Sequence, residues 1–278
     1  MSIILSGQVG ETPAQWTTAT RPATPNTGQT GFNTTTVAPD VYNGSAWTSV
    51  LLTTTANNQS TTGPTQTIYT SGSGTYTLPA GVKWIRVRMV GGGGGGGGSG
   101  SGGQSNGGTG GTTTFGTSFL TCNGGGGGSA GSNGGTGGSP NTGGTATGGD
   151  FNAQGAFAPT QSASNATGGG NLTNTYGQCG ASTIFGSGGN SGSNGGGSGT
   201  AAQTNSGAGG GSAGGGSGIY SGQAGSAGGY LEKIMTSPSS TYSYSVGAGG
   251  TAGSAGSGGG AGGAGGSGII IIEEHYNY

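Results

Sequence analysis

Few side chains in this chain can move a proton, attack a carbonyl or hold a metal. Among 278 residues there are one histidine, six acids, five bases and two cysteines. The histidine, His275, follows Glu273 and Glu274 in the run "IIIIEEHY" (269–276). A metal centre needs three or four converging ligands, and the sequence offers His275 little beyond those neighbours. It reads as a polar side chain on an exposed strand. A Ser–His–Asp arrangement would have to join His275 to Asp40 or Asp150, and no serine is marked as a nucleophile. Glycoside hydrolysis needs paired carboxylates, but Asp150 is the only acid between Asp40 and Glu232. Glu273 and Glu274 fall on opposite faces of a strand. Cys122 and Cys179 are too few for a disulfide framework. They read as buried free thiols or as one bridge between glycine-rich loops. G-x-G-x-x-G matches are inevitable with 78 glycines, and none has a strand–helix context or a Walker lysine. The expectation is a protein that is not an enzyme, with no catalytic residue, no metal and no cofactor.

Charge narrows the partners. The formal net charge is −1. Arg21, Lys83, Arg86, Arg88 and Lys233 cannot form a stripe that tracks phosphates, which argues against nucleic acid. The longest aliphatic run, Ile269–Ile272, falls far short of the roughly 20 residues needed to span a bilayer, so no membrane insertion is expected. The opening "MSIILSGQVGE" has no positive n-region, and no secretory signal is expected.

The elements able to position side chains are strand-like runs set among glycine tracts. Residues 1–55 hold four of the nine prolines and few glycines, and 56–74 read as a polar connector with a short strand at Thr67–Thr70. From 75 to 278 the strand candidates are 75–81, 82–90, 112–121, 181–185, 229–236, 242–247 and 269–276. They are rich in β-branched and aromatic residues and bounded by Gly or Pro. In "VKWIRVRMV" (82–90), Lys83, Ile85, Val87 and Met89 share the face that should meet a core, and Arg86 and Arg88 share the other. If the first and last strands of this region pair, these arginines meet the Glu273–Glu274 pair. No window has helical periodicity, so almost no α-helix is expected.

The glycine tracts carry a period of their own. From Gly247 to Gly268 every third residue is glycine. Three residues per turn is the period of polyproline II, which has no internal hydrogen bonds. Packed side by side, such helices can bond to one another through their backbones, provided glycine permits the close approach. Ordering costs about 1–2 kcal/mol per residue, so nearly every backbone group must find a partner. The chain therefore reads as all-β: an N-terminal β-hairpin module (1–55), a connector (56–74) and a glycine-rich β domain (75–278). That domain is a β-sandwich-like platform with long Gly-rich loops, partly packed as polyglycine II helices.

Two stretches resemble known patterns. The segment "ATRPATPNTGQTGFNTTTVAPDVYNGSAW" (19–47) resembles a short β module of bacteriophage fibre and other virion proteins. Arg21, Pro22, Gly28, Phe32, Asn33, Thr34, Thr35, Tyr42, Asn43, Gly44 and Trp47 carry the match. The charged residues usual between "NTTT" and "VYNG" are replaced by Val37, Ala38 and Pro39, and Pro39 counts against a regular paired strand there. The pair "GTYTLPAGVKWIRVRMVGGGGGGGG" (74–98) and "YSYSVGAGG…GGAGGSGIIIIEEHY" (242–276) resembles the glycine-rich domain of phage tail and fibre proteins.

The resemblance implies a structural virion protein of a bacteriophage, a homotrimeric fibre or adhesin that attaches to the host cell surface. It would be made and assembled in the host cytoplasm. Residues 1–55 would bind other virion proteins, with Phe32, Tyr42 and Trp47 as attachment candidates. Glycine-rich loops would meet a host surface glycan or outer-membrane protein. The least regular stretch, 139–181, sets Asp150, Phe151, Phe157, Leu172 and Tyr176 among Asn, Gln, Ser and Thr. Aromatic faces among adaptable polar groups suit recognition, so Asp150, Phe151, Phe157 and Tyr176 are the receptor-contact candidates. The alternatives are a head, neck or collar decoration without a receptor role, and a polyglycine II ice-binding protein.

Overall fold

The computed structural model describes residues 14–49, 62–132, 141–158 and 175–277. It divides into two units, Met1–Gln59 and Ser60–Tyr278. Both are β structures, and a single turn of 3-10 helix, Thr18–Thr20, is the one helical element among the described residues.

The first unit is a sheet of β1 (Gln15–Trp16), β2 (Thr30–Asn33), β3 (Ala38–Tyr42) and β4 (Trp47–Ser49), in that order. Strand β1 runs parallel to β2, and the other pairs are antiparallel. Pro39 lies inside β3 after all, opposite Phe32. The Phe32 N–H donates to the Ala14 carbonyl on the far side of β2. Phe32 and Pro39 are thus a pair that exchanges no hydrogen bonds, and the missing proline donor faces away from β2. On that side the pairing with β4 starts only at Asp40.

The second unit begins with β5 (Thr65–Tyr69) and β6 (Ser73–Thr77). Residues 65–69, read above as part of a connector, form a sheet edge against the last strand. Then come β7 (Trp84–Val90), β8 (Thr113–Phe115), β9 (Leu120–Cys122), β10 (Ala146–Thr147) and β11 (Phe151–Ala153). The chain closes with β12 (Tyr230–Met235), β13 (Thr241–Ser245) and β14 (Ile269–His275). One sheet has the order β11-β12-β7-β14-β5 and the other β10-β9-β8-β13-β6. Ile85, Val87, Met89, Leu231, Ile270 and Ile272 of the first sheet pack on Tyr76, Phe115, Leu120, Cys122 and Val246 of the second. The face assigned to 82–90 is therefore the buried one.

Two sequence assignments change. Residues 112–121 are a hairpin and not one strand: Gly116, Thr117 and Ser118 all have positive φ, and the Phe119 N–H closes the turn on the Gly116 carbonyl. Thr117 and Ser118 thus occupy the two left-handed positions of the turn type whose twist suits a hairpin. Residues 181–185 form a turn closed by a Thr183–Gly186 bridge and join neither sheet.

The glycine tracts form a lattice that continues both sheets. Segments 154–158, 220–229, 91–99 and 259–268 extend the row β11-β12-β7-β14. Segments 141–145, 123–131, 105–111 and 247–256 extend β10-β9-β8-β13. Segments 175–181, 186–193, 197–203 and 207–215 carry no strand and stack on the first row. Within 91–99 the donors rotate among neighbours with period three. Gly91, Gly94 and Gly97 donate to the carbonyls of Gly229, Ser226 and Gln223. Gly92, Gly95 and Gly98 donate to Gly111, Gly108 and Ser105, while Gly93, Gly96 and Ser99 donate to Gly266, Gly263 and Gly260. Its carbonyls accept from three further segments, through Gly125, Gly128 and Gly131, through Gly210 and Ala213, and through Gly250, Gly253 and Gly256. Segment 91–99 is therefore surrounded on six sides.

That explains the eight consecutive glycines of 91–98. A Cβ on any of them would lie 1.9–2.3 Å from a backbone oxygen of a neighbouring segment. Peripheral segments meet neighbours on fewer sides and keep the rule only at every third residue. Gly247, Gly250 and Gly253 are buried, while Ala248, Thr251 and Ser254 are exposed. Positive φ is confined to turns and segment ends such as Gly103, Gly195, Gly218 and Gly258.

Candidate functional site

Two segments that flank one groove carry four of the exposed large apolar side chains of the second unit. Phe151, Phe157, Tyr176 and Ile184 are 57%, 58%, 66% and 70% exposed. They belong to 151–158 and 176–184, the segments flanking a groove of about 360 Å³. Ala227, Gly228 and Tyr230 also line the groove, Phe151 and Ile184 lie along its sides, and Gln154, Ser182 and Thr183 add polar groups. Both flanking segments bond to the floor segment, through Ala227 N–H to the Ala156 carbonyl and Ala181 N–H to the Gly225 carbonyl. The rim is thus held by backbone bonds and not by side-chain packing alone.

Asp150 turns the chain into β11. Its carboxylate pairs with Lys233 Nζ at 2.5 Å and accepts the Ile234 N–H at 2.9 Å. The bond from Lys233, followed by that from Ile234, holds its carboxyl below the ordinary value. Asp150 is therefore tied to β12, while its side chain stays 53% exposed. Tyr230 has its ring edge-on to Phe151 and Phe185 and donates its hydroxyl to Glu232. Burial, then that bond, raises the Tyr230 pKa.

Beyond the groove, the outer face of the first sheet carries the arginines. Arg86 pairs with Glu232 at 2.6 Å and Glu273 at 3.8 Å, and Arg88 pairs with Glu273 at 2.6 Å. The anticipated meeting of β7 and β14 thus occurs through Glu273. Glu274 points inward, is 1% exposed, and accepts from Thr65 and Tyr76 hydroxyls at 2.9 and 3.3 Å. His275 does not stand free on an exposed strand: its ring stacks on Trp84 with centroids 3.6 Å apart. Cys122 is buried and Cys179 exposed, and both are free thiols, so neither the single bridge nor two buried thiols holds. Burial pushes the Cys122 thiol up to about 12.

In the first unit, the three attachment candidates do not form one patch. Tyr42 and Trp47 lie opposite each other on β3 and β4, with Trp47 edge-on to the buried Trp16 at 4.8 Å. Alternation along β2 puts Phe32 on the other face. The residue that sequence reasoning passed over is Asp40. It is fully buried and accepts four side-chain bonds: from Arg21 (2.9 Å), Asn33 (2.9 Å), Trp16 (3.1 Å) and Ser49 (2.6 Å). Burial opposes the charge, but Arg21, Ser49, Trp16 and Asn33 together hold the carboxyl far below its usual range. Ile184 and Tyr230 were also passed over; Ile184 was hidden in an apparent strand.

Of the loop 139–181, residues 139–140 and 159–174, including Leu172, lie outside the described residues. No group of three or more His, Cys, Asp or Glu side chains able to hold a metal occurs among the described residues. No helix there is long and apolar enough to cross a membrane. Comparison of the chain with family models, curated proteins and solved structures finds no match.

Proposed function

We propose that this chain is a non-enzymatic virion protein of a bacteriophage, a fibre or adhesin that attaches the particle to the host cell surface. The N-terminal unit binds other virion proteins. The edge carrying Phe151, Phe157, Tyr176 and Ile184 contacts a surface glycan or outer-membrane protein. The observation that supports this reading best is a groove on a backbone-bonded lattice lined by the exposed Phe151 and Ile184, with the exposed Phe157 and Tyr176 on the two segments that flank it. A rigid scaffold loses little entropy when it presents large side chains to a partner. The resemblance of 19–47 and of 74–98 with 242–276 to phage fibre segments supplies the biological setting.

Adsorption competition tests the reading. Purified chain, added to host cells before phage, should slow adsorption. The combined variant Phe151→Ser, Phe157→Ser, Tyr176→Ser and Ile184→Ser should not, while its Tm stays that of the parent. A parent chain that neither binds cells nor slows adsorption would favour a decoration without a receptor role.

A further inference from the structure

The sandwich of the second unit has a further opening, at the edge away from β5 and β6. Strand β11 covers β12 only at Tyr230–Glu232, and β10 covers β9 only at Thr121–Cys122. Past them, Lys233–Met235 and the turn at Phe119 have no strand on their outer side. The gap is a cavity of about 500 Å³ whose walls include Phe119, Ile234, Met235 and Tyr242. Phe119 and Ile234 are each 51% exposed.

The walls are held in place. Tyr242 stacks on the buried Phe115 with centroids 4.8 Å apart, and its hydroxyl accepts the Ser239 N–H at 2.7 Å. That bond leaves the hydroxyl hydrogen to give. The N–H groups of Gly116 and Thr117 bond the Ser243 carbonyl and hydroxyl at 2.7 and 2.9 Å, which ties the Phe119 turn to β13.

Lys233 also lines the cavity, and its Nζ meets Asp150 at 2.5 Å. Neither is spent by that pairing. The ammonium keeps two hydrogens. The carboxylate oxygens have accepted one bond each, from Lys233 and from the Ile234 N–H, and can accept another. A donor and an acceptor thus stand side by side next to apolar walls. A pyranose matches that combination, with an apolar C–H face and adjacent hydroxyls that each donate and accept. An anionic group would lie against Asp150. An acyl chain would strip water from the ion pair and replace none of its bonds.

We propose that this opening is a saccharide subsite. It takes a neutral sugar ring, with Phe119 and Ile234 against the C–H face and adjacent hydroxyls bridging Lys233 and Asp150. This rests on the adhesin reading above and assigns its receptor to the glycans. The groove beside Phe151 lies along the same strand, since Tyr230 lines the groove and Ile234 the opening. Four residues of strand set these about 13 Å apart, so one oligosaccharide chain can reach both.

The test measures binding of purified full-length chain to host cells. Periodate, which cleaves the carbon bond of vicinal diols, should abolish binding when cells are pretreated with it. Protease pretreatment should leave binding intact. A neutral ligand also predicts an affinity that holds between about 0.05 and 0.5 M salt. Phe119→Ser and Lys233→Gln should each weaken binding about ten-fold or more, at a Tm equal to the parent's, and Phe119→Tyr should retain it. The reverse pattern, loss after protease and none after periodate, overturns the proposal in favour of a protein receptor and leaves the adhesin reading standing. Affinity that falls steeply with salt overturns the neutral sugar. Phe119→Ser and Lys233→Gln both binding like the parent remove the opening from the site. A parent chain that binds no cells overturns the adhesin reading as well.

Discussion

The two units solve the same problem with opposite uses of the side chain. In the N-terminal unit a few side chains converge on one buried carboxylate, and the backbone follows them. Trp16, Arg21, Asn33 and Ser49 come from different elements and meet at Asp40. In the lattice the side chain is the obstacle. Segment 91–99 bonds to six neighbours because its first eight residues have no Cβ. The cost of ordering glycine is highest there, and it is offset by pairing the backbone groups. The first design fails when a partner is removed, the second when an atom is added.

The largest effect should come from one methyl group at the lattice centre. In Gly94→Ala the new Cβ would lie 2.0 Å from the Gly126 carbonyl oxygen and 2.5 Å from its carbon. Both are backbone atoms held by their own bonds, so neither can yield. A loss above about 4 kcal/mol is expected, read as a collapse of the thermal transition of the second unit and rapid proteolysis within 91–131. Gly102→Ala, whose Cβ would meet nothing within 4 Å, should change stability by less than about 0.5 kcal/mol. Equal losses at the two positions would show that glycine content, and not the six-sided packing of 91–98, sets lattice stability.

The second effect falls on the other unit. Asp40→Ala leaves Arg21 beside a buried void and strips the Trp16 and Asn33 donors of their acceptor. Removing one partner of a buried pair costs about 3–5 kcal/mol. The signals of residues 14–49 in an amide spectrum should collapse while those of the lattice stay. The pH dependence has a definite sign. A carboxyl lowered by folding contributes stability that is complete above its unfolded value of 3.8 and is lost as pH falls through the folded value. The first unit should therefore hold constant stability down to about pH 4 and weaken below it. A unit 1 transition that shifts between pH 5 and 7 would place its controlling group elsewhere.

How much of this was legible follows from what kind of signal each feature leaves. The buried faces of β7 and β14 follow from alternation and a run of isoleucines. The period of three in 247–268 correctly implied side-by-side backbone bonding, since an inward-facing residue recurs once per turn. The neighbours of 91–98 were not legible, because eight identical residues carry no phase. The turn at 116–119 was missed because Thr-Ser stands where Asn-Gly would announce a hairpin. The groove was half legible. Phe151, Phe157 and Tyr176 stood out in a polar stretch, but Ile184 joins them only through the return of the chain along 175–181. Asp40 was invisible as a hub, since a single acid among uncharged residues shows nothing of the donors that long-range pairing brings to it.

The smallest effect tests whether distance or burial decides the value of an ion pair. Arg88–Glu273 is shorter, at 2.6 Å, than Arg21–Asp40 at 2.9 Å, and both join a guanidinium to a carboxylate. Coulomb's law alone would rank the shorter pair higher. But Arg88 and Glu273 are 25% and 23% exposed, whereas Asp40 is fully buried. Water and salt screen the outer pair, and after that discount an exposed bridge is worth about 0–1 kcal/mol. Glu273→Gln keeps the shape of the side chain and a hydrogen-bonding oxygen toward Arg88. It should lower stability by no more than about 1 kcal/mol, and the difference should vanish in 1 M salt. Asp40→Asn, equally conservative in shape, leaves Arg21 largely buried without a counter-charge, and its loss should persist at high salt. If Glu273→Gln proves as costly as Asp40→Asn, or keeps its cost in 1 M salt, the outer sheet face is desolvated in solution, and a partner covering Arg86, Arg88, Glu232 and Glu273 would have to be sought.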